Sequence, residues 1–319
     1  MKRIISGAAA LLLILILPFS AEAARLVPVG ALVGIQVRCE AVTVAAFDET
    51  LGGTVRDAGV KIGDRLLEVN GRRIREASEV PDALGSGESV RLTLIRGSKK
   101  IEAEVPLRQT DTGPKLGLYL RQGISGIGTV TWYDPDSGAF GALGHGVSGS
   151  DGVVIPLWDG AVFDADLTAV CRGKAGAPGQ LRGETSPEQR RGALFRNSPQ
   201  GVFGTADRPW EGEVLETAAY EEICQGPATI RTTVSGAGPR EHEIEILKIY
   251  PRDRADGRNF LIRITDPDLL QTTGGIIQGM SGSPIIQDGK LVGAVTHVLV
   301  NDPTTGYGIF IENMLDAAA

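Results

Sequence analysis

The residues best equipped for chemistry in this chain are Gly279-Met280-Ser281-Gly282-Ser283-Pro284. A serine between glycines, with proline three residues on, belongs in a tight turn and not in a helix interior or a strand centre. Such a turn lifts one hydroxyl clear of the backbone and lets main-chain N–H groups approach whatever binds there. A hydroxyl beside free N–H donors is the equipment of acyl transfer: Ser281 as nucleophile, with the N–H groups of Gly279 and Ser281 as an oxyanion hole. The same letters also occur in plain Gly/Ser loops, and the flanks shift the balance toward a site. Gln287-Asp288-Gly289-Lys290 reads as a hairpin turn, and Leu291-Val292-Gly293-Ala294-Val295 as an apolar strand.

A serine nucleophile needs a base, and the base needs an orienting group. The chain has three histidines. His145 lies in Gly144-His145-Gly146, without the bulky neighbours of a core histidine, which favours a site. His242 opens a run of alternating Glu and Ile, and its side chain is expected to face solvent. His297 lies on the apolar strand after the serine. Spacing ranks His145 first, ahead of His297 and His242, and eliminates none. Asp151, Asp159, Asp164, Asp166, Asp207, Asp253, Asp256, Asp266 and Asp268 all lie between His145 and Ser281, and spacing does not choose among them. Asp266 ends an apolar strand 15 residues before Ser281, placed either to hold an imidazole or to cap a turn ahead of Pro267. No glycine-rich phosphate loop and no His/Asp metal spacing is present, so neither a cofactor nor a metal is expected.

The elements that must position these residues are short strands. The 319 residues allow two domains; 43 glycines and 5% aromatics fit many turns. A net charge of −7 with no basic block argues against nucleic acid as a partner. Lys2 and Arg3, an apolar run from Ile4 to Pro18, and Ala21-Glu22-Ala23 have the layout of a secretory signal over residues 1–23, cleaved after Ala23 or retained as a membrane anchor. The body of the protein is then exported across the cytoplasmic membrane. Cys39, Cys171 and Cys224 are expected as isolated residues, with a Cys171–Cys224 pair as the alternative. Residues 31–108 form a first domain, with strands over Val33–Val37, Val90–Ile95 and Ile101–Leu107, an Asn70-Gly71 turn and a short helix over Ile74–Leu84. Residues 109–115 are a polar linker. From 116 to 319 short apolar segments alternate with glycine turns, without a βαβ rhythm, and this predicts a mostly β domain of barrel or sandwich type. Pro187–Leu194 and Ile311–Ala317 are the two helical stretches expected there. Arg196-Asn197-Ser198-Pro199-Gln200-Gly201-Val202-Phe203-Gly204 reads as a loop without assignable chemistry.

Residues 279–298 resemble the nucleophile segment of chymotrypsin-type serine proteases, with Met280 and Ser283 as departures. A longer resemblance runs through Gly141-Ala142-Leu143-Gly144-His145, Ile264-Thr265-Asp266-Pro267, Thr273 to Pro284, Ala294-Val295-Thr296-His297-Val298 and Asn301 to Gly308. These stretches resemble the stage IV sporulation protein B peptidase family, PDZ-bearing serine proteases of endospore-forming bacteria. Ala58 to Gly71 resembles a PDZ domain of bacterial proteases. The resemblance implies an N-terminal PDZ domain followed by a chymotrypsin-like double β-barrel, with His145 as base, Asp266 as its orienting carboxylate and Ser281 as nucleophile. It also implies Val295, Thr296, His297 and Gly275 at the substrate, and Gly34, Ile35, Gln36 and Val37 around a peptide terminus bound to the PDZ domain. Gly275 stands where Arg/Lys-cleaving enzymes carry an acid, so a basic residue is not demanded. In function, the resemblance implies an endopeptidase that processes itself. It would act between forespore and mother cell membranes on a membrane-bound regulator of an intramembrane protease, activating a late sigma factor. The rival is a PDZ adaptor with a protease-like scaffold and no catalysis.

Overall fold

The computed structural model describes residues 23–111, 113–149, 152–254 and 256–319. Residues 1–22 of the expected export signal (1–23), and Asp151, lie outside the described residues. Among the described residues no helix is long and apolar enough to cross a membrane.

The chain opens with β1 (Arg25–Pro28) and the long β2 (Leu32–Phe47). A small domain follows: α1 (Gly53–Asp57), β3 (Arg65–Val69), β4 (Arg72–Arg73), α2 (Val80–Leu84), β5 (Ser89–Arg96) and β6 (Lys99–Pro106). Asn70 and Gly71 both have positive φ, as a two-residue hairpin turn requires, and join β3 to β4. A two-stranded ribbon, β7 (Arg108–Thr110) and β8 (Gly113–Lys115), stands where a linker was expected. Then come β9 (Leu118–Tyr133), β10 (Ala139–Ala142), β11 (Asp159–Cys171), β12 (Gln180–Ser198), β13 (Gly201–Ala206) and β14 (Leu215–Glu216). The last part holds β15 (Gly226–Thr232), β16 (Arg240–Ile249), β17 (Phe260–Ile264), α3 (Pro267–Thr273), β18 (Pro284–Gln287), β19 (Lys290–Leu299), β20 (Asp302–Phe310) and α4 (Ile311–Ala318).

These strands make two closed rings. The first runs β2-β9-β10-β13-β12-β11 and returns to β2. The second runs β15-β16-β17-β20-β19-β18. In each ring the strands follow one order: first, second, third, sixth, fifth, fourth. This is the double β-barrel of chymotrypsin-type enzymes. The apolar core of the first ring includes Val33, Val37, Val130, Phe140 and Val162, and that of the second Ile230, Ile244, Ile246, Phe260 and Ile262. Both depend on period-two alternation, one face in and one out.

The PDZ domain, with its own core around Val44, Val69, Leu92 and Val105, is inserted between the first two strands of the first barrel. Here the boundary at residue 31 needs correction. Val33–Arg38 pair with Asp159–Asp164 of β11 on one side, and Leu32–Arg38 with Gly123–Thr129 of β9 on the other. These residues are barrel, and β2 joins the PDZ sheet only at Val42, opposite Leu66. The run Leu32-Val33-Gly34-Ile35 is buried throughout, the signature of a strand covered on both faces. Three further expectations resolve. Pro187–Leu194 is strand within β12, because it pairs with β11 and β13 on its two sides. Ile311 begins the expected terminal helix, α4. The three cysteines are unpaired.

In the PDZ domain Asp64 is 1% exposed and accepts from Arg96 Nε and Nη2, both at 2.7 Å, and from Lys61 N–H at 2.8 Å. Asp64→Ala leaves these donors without their acceptor and is expected to cost about 1–3 kcal/mol of stability; urea unfolding followed by circular dichroism measures it.

Candidate active site

Ser281 sits at the tip of the turn between α3 and β18. Gly279 and Gly282 adopt φ values of +98° and +95°, in the region that side chains avoid. A Cβ on Gly282 would meet Thr129 O at 2.0 Å and Leu143 N at 2.5 Å, so only glycine lets this turn lie against the first barrel. Thr129, fully buried in β9, binds the turn twice. Its Oγ1 donates to Gly279 O at 2.8 Å and its N–H donates to Ser281 O at 3.0 Å. Its own carbonyl accepts from Leu143 N–H at 3.1 Å, two residues before His145. One residue thus ties the nucleophile turn of the second barrel to the histidine loop of the first. The N–H groups of Gly279 and Ser281 have no acceptor among the described residues, as an oxyanion hole requires.

Ser281, His145 and Gly279 line one cleft of about 590 Å³, together with Ile35, Ile127, Leu143 and His297. No lining residue is charged other than through the two histidines. His145 Nδ1 donates to Gly146 O at 3.0 Å, which leaves Nε2 as the lone-pair nitrogen. Burial pushes the imidazole of His145 below its ordinary value, against the Gly146 hydrogen bond. The His297 ring lies 5.1 Å from that of His145, centroid to centroid. Burial first, then the neighbouring His145, push His297 down to about 4, and its Nδ1 is buried without a partner. Ser281 Oγ donates to Thr296 O at 2.7 Å and makes no hydrogen bond to His145 in this state.

The structure thus brings Ser281, Gly279, His145 and His297 together. It does not bring Asp266 to them. Asp266 Oδ1 faces His242 Nδ1 at 3.3 Å and accepts from Leu269 N–H at 2.7 Å, capping α3 with Pro267 at its first turn. Burial alone would raise its carboxyl, but the Leu269 N–H and His242 hydrogen bonds hold it below the ordinary value. No acidic side chain pairs with His145 among the described residues. His242 is 9% exposed, not solvent-facing, because it shares the inward face of β16 with Ile244 and Ile246. Val295 exchanges its backbone bonds with Gly282 and Ser283 and is fully buried, so it offers no edge to a substrate. Thr296 touches the site through its carbonyl, which accepts from Ser281 Oγ. Gly275 packs against Pro303, where a Cβ would meet the carbonyl oxygen at 2.1 Å, and does not line the cleft. Gly34, Ile35, Gln36 and Val37 cannot receive a PDZ ligand as an added strand, since β2 is paired there on both edges; Ile35 lines the catalytic cleft instead. Asn197, whose segment carried no assignable chemistry in the sequence, grips the loop after His145: its Oδ1 accepts from Val147 N–H at 2.9 Å.

The model of the SpoIVB peptidase S55 family matches residues 113–315. No curated protein matches the chain. Among solved structures, the chain is similar to the PDZ domain of the SdrC-like protein (Lmo2051) from Listeria monocytogenes, at 22% identity and a TM-score of 0.23 over 26% of this chain and 90% of that one. It is also similar to the Rv3671c protease from M. tuberculosis in its active form, at 15% identity and a TM-score of 0.35 over 61% and 75% of the two chains. For the inactive form of the Rv3671c protease the values are 15%, 0.36, 60% and 82%.

Two outcomes follow from the geometry. Thr129→Val keeps the shape and deletes the bond to Gly279 O; it is expected to cost about 1–3 kcal/mol of stability and to slow acylation of Ser281, both measurable on the purified protein. The lowered pKa of His145 keeps the base neutral to lower pH than a free imidazole. The rate of Ser281 labelling by a fluorophosphonate is therefore expected to fall on the acid side with a midpoint below that of a free imidazole, 6.5. A midpoint above 6.5 contradicts this.

Proposed function

The chain belongs to the SpoIVB peptidase S55 family, and we propose that it acts as an exported endopeptidase of sporulation signalling, with Ser281 as nucleophile and His145 as base. It is a serine endopeptidase with a PDZ domain, and proteins are its substrates. The observation that carries the assignment of residues is one cleft that holds the Ser281 hydroxyl, the unbonded N–H groups of Gly279 and Ser281, and His145 with Nε2 free.

Catalysis begins when the Ser281 hydroxyl turns from Thr296 O toward His145 Nε2. The hydroxyl proton passes to Nε2 as Oγ bonds to the scissile carbonyl carbon, and the carbonyl oxygen takes the negative charge. The Gly279 and Ser281 N–H groups receive that oxyanion; removing one such donor costs roughly 3–4 kcal/mol of barrier in comparable sites. Collapse breaks the C–N bond, and the Nε2 proton leaves with the amine. Water then repeats the sequence on the acyl-enzyme. His297, neutral near pH 7, forms a wall of the cleft beside the base and is not the base. The uncharged, aliphatic lining suits apolar side chains near the scissile bond.

The finer role comes from the family. The enzyme processes itself, then cuts a membrane-bound regulator of an intramembrane protease in the space between forespore and mother cell membranes, so that a late sigma factor is released. The PDZ domain binds a peptide or protein terminus that recruits or restrains the peptidase.

The test expresses residues 25–319 and follows wild type and Ser281→Ala by intact mass. Wild type is expected to yield discrete fragments and to label with a fluorophosphonate at Ser281. Ser281→Ala is expected to yield neither, with about a millionfold loss of turnover. A wild type that stays whole, fails to cut a Ser281→Ala copy and does not label would make the protein a PDZ adaptor.

A further inference from the structure

Among the described residues His145 has no acidic partner, yet a catalytic imidazole must be held in one tautomer and one orientation. The Gly146–Val147 peptide unit supplies the hold. Its carbonyl accepts from His145 Nδ1 at 3.0 Å. The N–H at the other end of the same planar unit donates to Asn197 Oδ1 at 2.9 Å. Hydrogen bonds at the two ends of one amide polarise it in the same sense, so each strengthens the other.

Asn197 is itself fixed. Its Nδ2 donates to Val147 O at 2.9 Å and to Ile155 O at 2.8 Å, so all three strong bonds of the side chain are spent on the loop that follows His145. The loop cannot drift away from it, because Gly146 lies against Ser198 O, which a Cβ would meet at 2.6 Å. Asn197 and Ser198 end β12, at the turn that leads into β13. In chain order this turn joins the fifth and sixth strands of the barrel that carries the base.

We propose that Asn197 is the positioning residue of the base, acting through the Gly146–Val147 peptide in the place where a triad keeps its carboxylate: an amide relay, Asn197 Oδ1 to Val147 N–H, Gly146 C=O to His145 Nδ1–H. The Arg196–Gly204 segment thereby gains a role. The relay carries no net charge. It fixes the tautomer that leaves Nε2 free, and it does not raise the basicity of the imidazole as a carboxylate does. That agrees with a base whose pKa lies below its ordinary value. The proposal rests on His145 being the base, and its test is chosen to be readable without activity.

The first measurement is the 15N spectrum of the imidazoles in full-length Ser281→Ala protein, where three histidines make assignment tractable. His145 is expected as the Nδ1–H tautomer. Adding Asn197→Ala is expected to give a mixture of tautomers, and adding Asp266→Asn to leave His145 unchanged. The second measurement is the pH profile of p-nitrophenyl acetate acylation in the otherwise wild-type chain. Asn197→Ala is expected to lower kcat roughly 100-fold with KM little changed, the penalty of a misplaced catalytic group. Asn197→Asp keeps the Oδ1 acceptor and adds a charge; it is expected to retain more activity than Asn197→Ala and to move the acid limb to higher pH. The relay is wrong if Asn197→Ala leaves the His145 tautomer intact and lowers only the melting temperature. It is equally wrong if Asp266→Asn, with Asn197 in place, produces the tautomer mixture. A wild type with the expected tautomer and no acylation would refute the peptidase assignment of this cleft and leave the relay standing as geometry.

Discussion

Everything at the active site depends on how closely the backbone of the second barrel can approach the first. At Gly282 the two main chains come so near that a single methyl group would overlap Thr129 O. The approach is stabilised by Thr129, which donates to both Gly279 O and Ser281 O, while the carbonyl that Gly282 abuts accepts from Leu143 N–H. Thr129 and Leu143 are buried, so losing one of these bonds leaves their polar groups unsatisfied in place of returning them to water. The catalytic distance between the serine and the histidine is therefore set by backbone contacts, not by the side chains that react.

The PDZ domain is attached to this arrangement without a hinge of free chain. The strands β2 and β9, sixteen residues each, run through both bodies and pair with each other in both. Ile35, in the barrel half of β2, lines the catalytic cleft, and Val44, in the other half, lies in the PDZ core. Paired strands resist bending more than a loop does. The register of the β2–β9 pair shifts between Arg38 and Thr43, where the two strands pass from one body to the other.

Ser281, Gly279 and His145, named together by the sporulation peptidase resemblance, do line one cleft, and their signals are local: glycines demanding positive φ beside a hydroxyl, and a histidine stripped of core neighbours. The carboxylate of that resemblance did not survive. Asp266 precedes proline, and an Asp before proline at the end of a strand is also the pattern of a helix cap, which is how it is used. The choice between those roles depends on whether His145 or His242 comes to rest beside it, and that lies in the packing of barrels, not in the segment. His242 was misplaced for a simpler reason: alternation sets which residues share a face, and the isoleucines two and four residues on declare that face to be the core. Asn197 gave one faint signal, an amide at the end of a strand before Ser-Pro, and no sequence spacing connects it to Val147.

What the sequence by itself determined was a mostly β chain, a glycine turn that presents the Ser281 hydroxyl and a histidine, His145, without bulky neighbours; the PDZ and peptidase units and the role of His145 were what the family resemblance implied. The former follow from glycine positions, alternation and turn chemistry, all of which act over a few residues. Only the tertiary structure decided where the PDZ unit is inserted, that β2 and β9 belong to both bodies, that Asp266 serves α3 and His242, and that Asn197 faces the histidine loop. Each of those is a contact between segments tens of residues apart, set by strand register and barrel closure, and a one-dimensional pattern records the partners of such a contact without recording that they meet.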